Sequence, residues 1–169
     1  MNDEKSGTTI VPLDKVASGE EDESQILQLR VKLYKMVNTS WAEAGSGPLR
    51  VNIQVSESEN SDVGITRARL VMRQEKVLKL LLNCAITENM LIETVGNKMI
   101  RFSCEILSEK DSKPTFSYYL VKCAREDDRD TLFKTILRVK PNKSSDSSSF
   151  PASKTSEALE NEKSLTAND

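Results

Sequence analysis

Apolar residues recur at every second position through most of the middle of this chain, and that alternation limits it to strands with one buried face. Within Gln25–Val37, Leu27, Leu29, Val31 and Leu33 alternate with Gln28, Arg30, Lys32 and Tyr34. Leu49, Val51, Ile53 and Val55 alternate with polar residues in Leu49–Val55, and Met90–Val95 and Met99–Ile106 read as two further strands. In Phe116–Cys123, Phe116, Tyr118, Leu120 and Lys122 share one face, and Tyr119, Val121 and Cys123 the other. Turn chemistry separates the segments. Asn38–Ser40 makes one turn, and Gly96–Asn97 makes a hairpin in which both residues can hold positive φ. Gly45, Gly47 and Pro48 follow the sole tryptophan, Trp41, and interrupt the backbone before the second strand. Ser56–Gly64 is a polar loop long enough to be mobile, and Ser108–Pro114 is another loop.

Two segments carry a different period. In Glu126–Lys140, Leu132, Phe133, Ile136, Leu137 and Val139 form a helical stripe. Asp127, Asp128 and Asp130 begin that helix, Arg138 and Lys140 end it, and Pro141 stops it. Arg67–Asn83 reads two ways. As a helix, Leu70, Val71, Val77, Leu78, Leu81 and Leu82 share a face. As two strands around Gln74–Lys76, Ala68, Leu70 and Met72 form one alternating set and Leu78, Leu80 and Leu82 the other. Periodicity by itself favours the helix. With the hairpin, the tally is about seven strands and one C-terminal helix. A bent antiparallel sheet of that kind has an open end that a final amphipathic helix can cover, a pleckstrin-homology-like (PH-like) barrel. With the helix, the fold is a smaller α+β sheet.

At 169 residues, with only 37% apolar residues, the chain has room for one domain and polar flanks. Residues 1–18 show no period and predict a disordered arm, residues 19–140 the domain, and residues 141–169, with eight serines, a disordered tail. No apolar run reaches eighteen residues and no signal-peptide pattern occurs, which predicts a soluble chain outside the secretory route. Cys84, Cys104 and Cys123 each sit in an apolar stretch without a CxxC pair, as reduced core thiols do. The chain has no histidine, which removes imidazole catalysis and most zinc hydrolase sites. No glycine-rich phosphate loop is present. The reading is a binding protein with no catalytic residue, cofactor or metal.

Charge is divided along the chain. Residues 1–24 hold seven acids against Lys5 and Lys15, whereas residues 25–140 hold nineteen bases against fourteen acids. An acidic arm on a mildly basic body suits a protein partner with patches of both signs and suits nucleic acid poorly.

Four segments, in order and in register, resemble the Ran-binding domain family. Gly19–Met36 pairs an acidic lead-in, GEEDES, with an R-x-K-L strand, and Trp41–Val51 (WAEAGSGPLRV) resembles the W-x-E-R-G-x-G signature. Arg69–Asn83 (RLVMRQEKVLKLLLN) and ITENM (Ile86–Met90) resemble two further family runs. Within the family, GEEDES, GPLRVN and RLVMR are most similar to the Ran-binding protein three and yeast nuclear subgroup. Ala44 stands where the family usually has Arg, and MIRFSC (Met99–Cys104) replaces its aromatic strand. The resemblance implies a hairpin at Arg67–Asn83 and the PH-like barrel. It also implies binding to the GTP-bound small GTPase Ran, whose acidic C-terminal extension wraps around the domain while the acidic lead-in reaches a basic region of Ran.

On that resemblance Glu20, Glu21, Asp22 and Glu23 would meet bases on Ran, and exposed Lys32, Arg69, Arg73 and Lys79 would meet acids. Trp41 either plugs the open end of the sheet or anchors the partner. Gly45 and Gly47 serve backbone geometry or a contact, Glu43 sits in an exposed turn, and Asn83 caps the next turn or touches Ran. The implied role is that of an accessory adaptor in nucleocytoplasmic transport, acting in nuclear export or the Ran GTP cycle. An export receptor or a nuclear pore component is a further partner, with no nucleic acid and no membrane. The implied compartment is the nucleus, including the pore, with the cytoplasm as runner-up. A phosphoinositide module and a proline-rich-peptide reader are the alternatives. Against them stand the single lysine in Lys35–Ser40 and the scarcity of aromatics.

Overall fold

Alternation is realised as β1 (Ser24–Val37), β2 (Ser40–Glu57), β3 (Val63–Arg73), β4 (Leu80–Ala85), β5 (Ile92–Val95), β6 (Met99–Ile106) and β7 (Thr115–Cys123), followed by α1 (Glu126–Val139). The computed structural model describes residues 19–57, 63–106 and 115–141. The expected arm, all of the expected tail but Pro141, the loop Ser108–Pro114 and the middle of Ser56–Gly64 lie outside the described residues.

One antiparallel sheet runs β4-β3-β2-β1-β7-β6-β5. Its inward column comes from alternate positions: Val31 and Leu33, Leu49 and Val51, Leu70 and Met72, Leu82 and Cys84, Ile100 and Phe102, Val121 and Cys123. Helix α1 adds Leu132, Ile136 and Val139, all buried. Burying each such aliphatic side chain contributes about 1.5–3 kcal/mol. Long strands need bends to close round a core. Register shifts supply them, with one extra residue at Ile26 in β1, Ala44 in β2, Thr66 in β3 and Leu81 in β4. The helix has no side-chain cap at Arg125. Its first turn is held by Arg125 to Asp128 at 2.8 Å, while Arg129 donates to the Gly96 carbonyl at 2.9 Å and ties the helix to the β5–β6 turn. No described helix is long and apolar enough to cross a membrane.

Several expectations are corrected. Arg67–Asn83 is the hairpin that the resemblance implied, not the helix that periodicity favoured: Leu70, Met72 and Leu82 face the core on the two sides of the chain reversal, whereas Val77, Leu78 and Leu80 are exposed. The connection is longer than Gln74–Lys76, so Leu78 lies outside β4 and is 68% exposed. Gly45, Gly47 and Pro48 do not interrupt β2, which runs through them for 18 residues. Met90 is buried but precedes β5. The β5–β6 turn takes three residues, with positive φ at Gly96 alone. Leu137 is 45% exposed and stands outside the buried stripe of α1.

Candidate partner-binding face

Side chains between the core positions of β1, β2 and β3 point outward, and many are cationic. Register places Arg30 opposite Pro48, Lys32 opposite Ser46, Gln28 opposite Arg50, and Asn52 opposite Arg69. On the other side of β1, Lys32 faces Lys122 of β7, a like-charge pair at one rung. Arg30, Lys32, Ser46 and Lys122 line an open groove of about 350 Å³.

The acidic lead-in folds onto this face. Gly19, at φ 74, and the Glu23 N–H bonded to the Glu20 carbonyl at 3.1 Å form a turn that brings both carboxylates over β2 and β3. The Glu23 carboxylate lies 2.7 Å from Arg69 Nε, and the two side chains are 6% and 9% exposed. Arg69 also donates to the Gly19 carbonyl at 2.7 Å and to Asn83 Oδ1 at 3.2 Å. Asn52 Nδ2 donates to Glu23 at 3.1 Å and to Glu20 at 3.3 Å. Glu20 lies 3.4 Å from Arg73 and 3.7 Å from Arg50. Five predicted site residues, Glu20, Glu23, Arg69, Arg73 and Asn83, therefore join in one intramolecular clasp. Arg69 is not exposed as expected, because its guanidinium is consumed by partners within the chain. Asn83 uses its amide oxygen on Arg69.

The remaining candidates surround the clasp. Glu21 and Asp22 are exposed on the same turn. Lys32 pairs with Glu43 at 3.4 Å. Gly45 holds φ +148 beside a register shift, and a Cβ there would sit 2.8 Å from Leu81 Cδ1. A Cβ on Gly47 would sit 2.3 Å from the Arg73 carbonyl oxygen, where the root of the β3–β4 connection crosses β2. The Glu75 N–H bonds to the Ser46 carbonyl at that crossing, at 3.3 Å. The bare backbone at Gly47 thus positions both Arg73 and Glu75. Lys79 is exposed at the end of the connection, its carbonyl accepting from the Gln74 N–H at 2.7 Å. Trp41 faces Met36 at the β1–β2 hairpin, with its indole N–H buried and unpaired among the described residues.

Sequence reasoning passed over Arg30, Arg50, Asn52 and Glu75. Arg30 forks onto the Glu75 carboxylate, one arm at 2.6 Å. Arg50, Arg73, Val71, Pro48 and Leu78 line a cavity of about 170 Å³ beneath the connection. Strand parity was the available signal: Arg30 shares its side of the strand with Lys32, and Arg50 with Asn52. The connection itself carries Val77, 67% exposed, beside Leu78 and two positive-φ positions, Lys76 and Leu78.

A curled seven-stranded sheet closed by a C-terminal helix, with a charged outer face, defines a PH-like binding domain. The solved Ran-binding domain of Nup2 from Ashbya gossypii superposes with a TM-score of 0.54 over 70% of this chain and 96% of that one, at 17% identity, and so shares the fold. The chain belongs to the RanBP1 domain family, whose model matches residues 15–143. It is 40% identical over 91 residues to Ran-binding protein 3 from Homo sapiens, covering 53% of this chain and 15% of that protein. It is 27% identical over 131 residues to Ran-specific GTPase-activating protein 2 from Saccharomyces cerevisiae, covering 75% and 38%. It is 31% identical over 107 residues to nuclear pore complex protein NUP50B from Arabidopsis thaliana, covering 63% and 21%. The chain therefore spans well under half the length of each of these relatives.

Proposed function

We propose that this domain binds Ran in its GTP-bound form and acts as an accessory adaptor in nucleocytoplasmic transport, in the nucleus or at the pore. The observation that carries the reading is the row of cations Arg30, Lys32, Arg50 and Arg73 on the outer face of β1–β3, with Lys79, Val77 and Leu78 exposed on the β3–β4 connection. Relatives named for Ran binding and for the nuclear pore support it. Such a face suits an acidic segment carrying apolar side chains, and Glu20, Glu43 and Glu75 hold its cations in place until that segment arrives. Glu21 and Asp22 remain the lead-in's candidates for a basic patch on Ran, whereas Glu23 and Arg69 act through the fold. Nucleotide dependence arises in the partner: Ran's acidic extension is free to wrap in one state only, a population shift. An export receptor or a pore component would bind the assembled pair.

The test is equilibrium binding to Ran loaded with a non-hydrolysable GTP analogue and with GDP, across a salt series. Tight binding to the GTP form, weak binding to the GDP form and loss of affinity with salt support the reading. Equal affinity for both forms overturns it.

A further inference from the structure

The cavity beneath the β3–β4 connection is built before any partner arrives. Val71, opposite Arg50 on the outward side of β3, is buried under that connection, and Pro48 and Leu78 complete an apolar lining. The connection is pinned by its own backbone. The Gln74 N–H donates to the Lys79 carbonyl at 2.7 Å, the Leu78 N–H to the Gln74 carbonyl at 2.9 Å and the Glu75 N–H to the Ser46 carbonyl at 3.3 Å. Lys76 and Leu78 hold φ of 71° and 55°, which such residues adopt only where their surroundings impose it. The volume is about 170 Å³. An apolar cavity of about 150 Å³ takes up a benzene ring, so this one accommodates one or two aliphatic side chains.

The chain enters the domain at the rim of that cavity. Glu20 lies 3.4 Å from Arg73 and 3.7 Å from Arg50, both of which line it, and the Gly19 carbonyl accepts from Arg69 at 2.7 Å. Arg69 precedes Val71 by two residues of β3, about 7 Å along the strand. Upstream, Ile10, Val11, Pro12 and Leu13 form the longest apolar run of residues 1–18, and Asp14 follows them. Six steps join Leu13 to Gly19, about 20 Å of extended chain and more than the reach requires. Residues 1–24 hold seven acids against two lysines, opposite in sign to the cation row. The arm thus has the chemistry that this face fits, apolar side chains within an acidic segment.

We propose that Ile10–Leu13 dock in this cavity and compete there with the partner's segment, an intramolecular brake whose regulatory effect rests on the Ran-binding reading. Leu13, nearest the tether, fills the cavity, and Asp14 meets exposed Lys76 on the rim. Pro12 restricts Val11 to extended conformations, which lowers the entropy lost on docking. Engaging Ran then displaces the arm, so that one exchange empties the cavity and frees the lead-in. A tether this short gives an effective concentration on the order of 1 mM. An intrinsic affinity of about 0.25 mM would fill the cavity about four-fifths of the time and weaken the partner's apparent binding about fivefold.

Cys84, Cys104 and Cys123 are buried, so a nitroxide label can be directed to one introduced thiol, Thr9→Cys, in the folded full chain. The expected result is paramagnetic broadening of the amide signals of Lys76, Val77 and Leu78, well beyond that of Gly96. Adding Ile10→Ser and Leu13→Ser should abolish the excess. The same two changes without the label should raise affinity for Ran loaded with a non-hydrolysable GTP analogue about fivefold. Broadening that survives the two serines reports the tether alone and overturns the proposal. Broadening found only between mixed spin-labelled and isotope-labelled copies also overturns it, since the occupant is then a second copy. So does a Ran affinity that the serines leave unchanged. Should neither form bind Ran, the proposed function falls, and the broadening decides the docking by itself.

Discussion

Replacing Glu23 with alanine strips the clasp of its central anion, and the structure sets the size of the effect. Glu23 and Arg69 are 6% and 9% exposed at 2.7 Å, so the pair is screened from water. Removing one member of a buried pair leaves the other charge uncompensated and typically costs about 3–5 kcal/mol. Arg69 keeps the Gly19 carbonyl and Asn83 as acceptors, which places the expected loss near the lower limit, about 3 kcal/mol. For a domain of this size that is a fall in Tm on the order of 10 °C. Glu20→Ala removes contacts to Arg73 and Arg50, whose side chains are 33% and 38% exposed, and should cost no more than about 1 kcal/mol. The paired change Glu23→Leu with Arg69→Met removes both charges and should cost less than Glu23→Ala. Urea unfolding followed by Trp41 fluorescence measures all three. A cost for Glu23→Ala below about 0.5 kcal/mol, the range of exposed pairs, would refute the reasoning and leave the lead-in as an arm free to grip a partner.

Lys32→Glu with Lys79→Glu should weaken binding to GTP-loaded Ran at least about tenfold and flatten its salt dependence, with urea stability changed by less than about 0.5 kcal/mol. Gly47→Ala places a methyl group 2.3 Å from the Arg73 carbonyl oxygen, so urea denaturation should show a loss of about 1–3 kcal/mol, together with lost Ran binding as Arg73 and Glu75 shift. The hydrogen bond and charge of Arg125 hold the Asp128 carboxyl below its usual value. A depressed carboxylate stabilises the fold above its unfolded value and loses that contribution as pH falls through the folded one. NMR titration should therefore show the first turn of α1 loosening only in acid, at a pH below the ordinary aspartate range of about 3.9.

Local periodicity made much of this fold legible. The strands β1, β6 and β7 and the helix α1 stand within a residue of their expected bounds, because period and turn chemistry act between neighbours in sequence. Arg67–Asn83 was not settled by period, since the same leucines satisfy both spacings until the core they face exists. Gly45 and Gly47 read as breaks for a related reason. Their missing side chains answer to Leu81 and the Arg73 carbonyl, approaches invisible along the strand itself.

The distribution of charge, an acidic lead-in before a basic body, belongs to the sequence, as does the division into a strand-rich domain and polar flanks. Which acid meets which base belongs to the tertiary structure. Glu23 and Arg69 lie 46 residues apart and meet only because β2 and β3 pair in one register and the lead-in turns back over them. Thr87 and Glu105 likewise meet, at 3.5 Å, only where the curling sheet brings its two ends together. Coulomb and hydrogen-bond energies depend on separation and on exclusion of water, and a linear order of residues specifies neither.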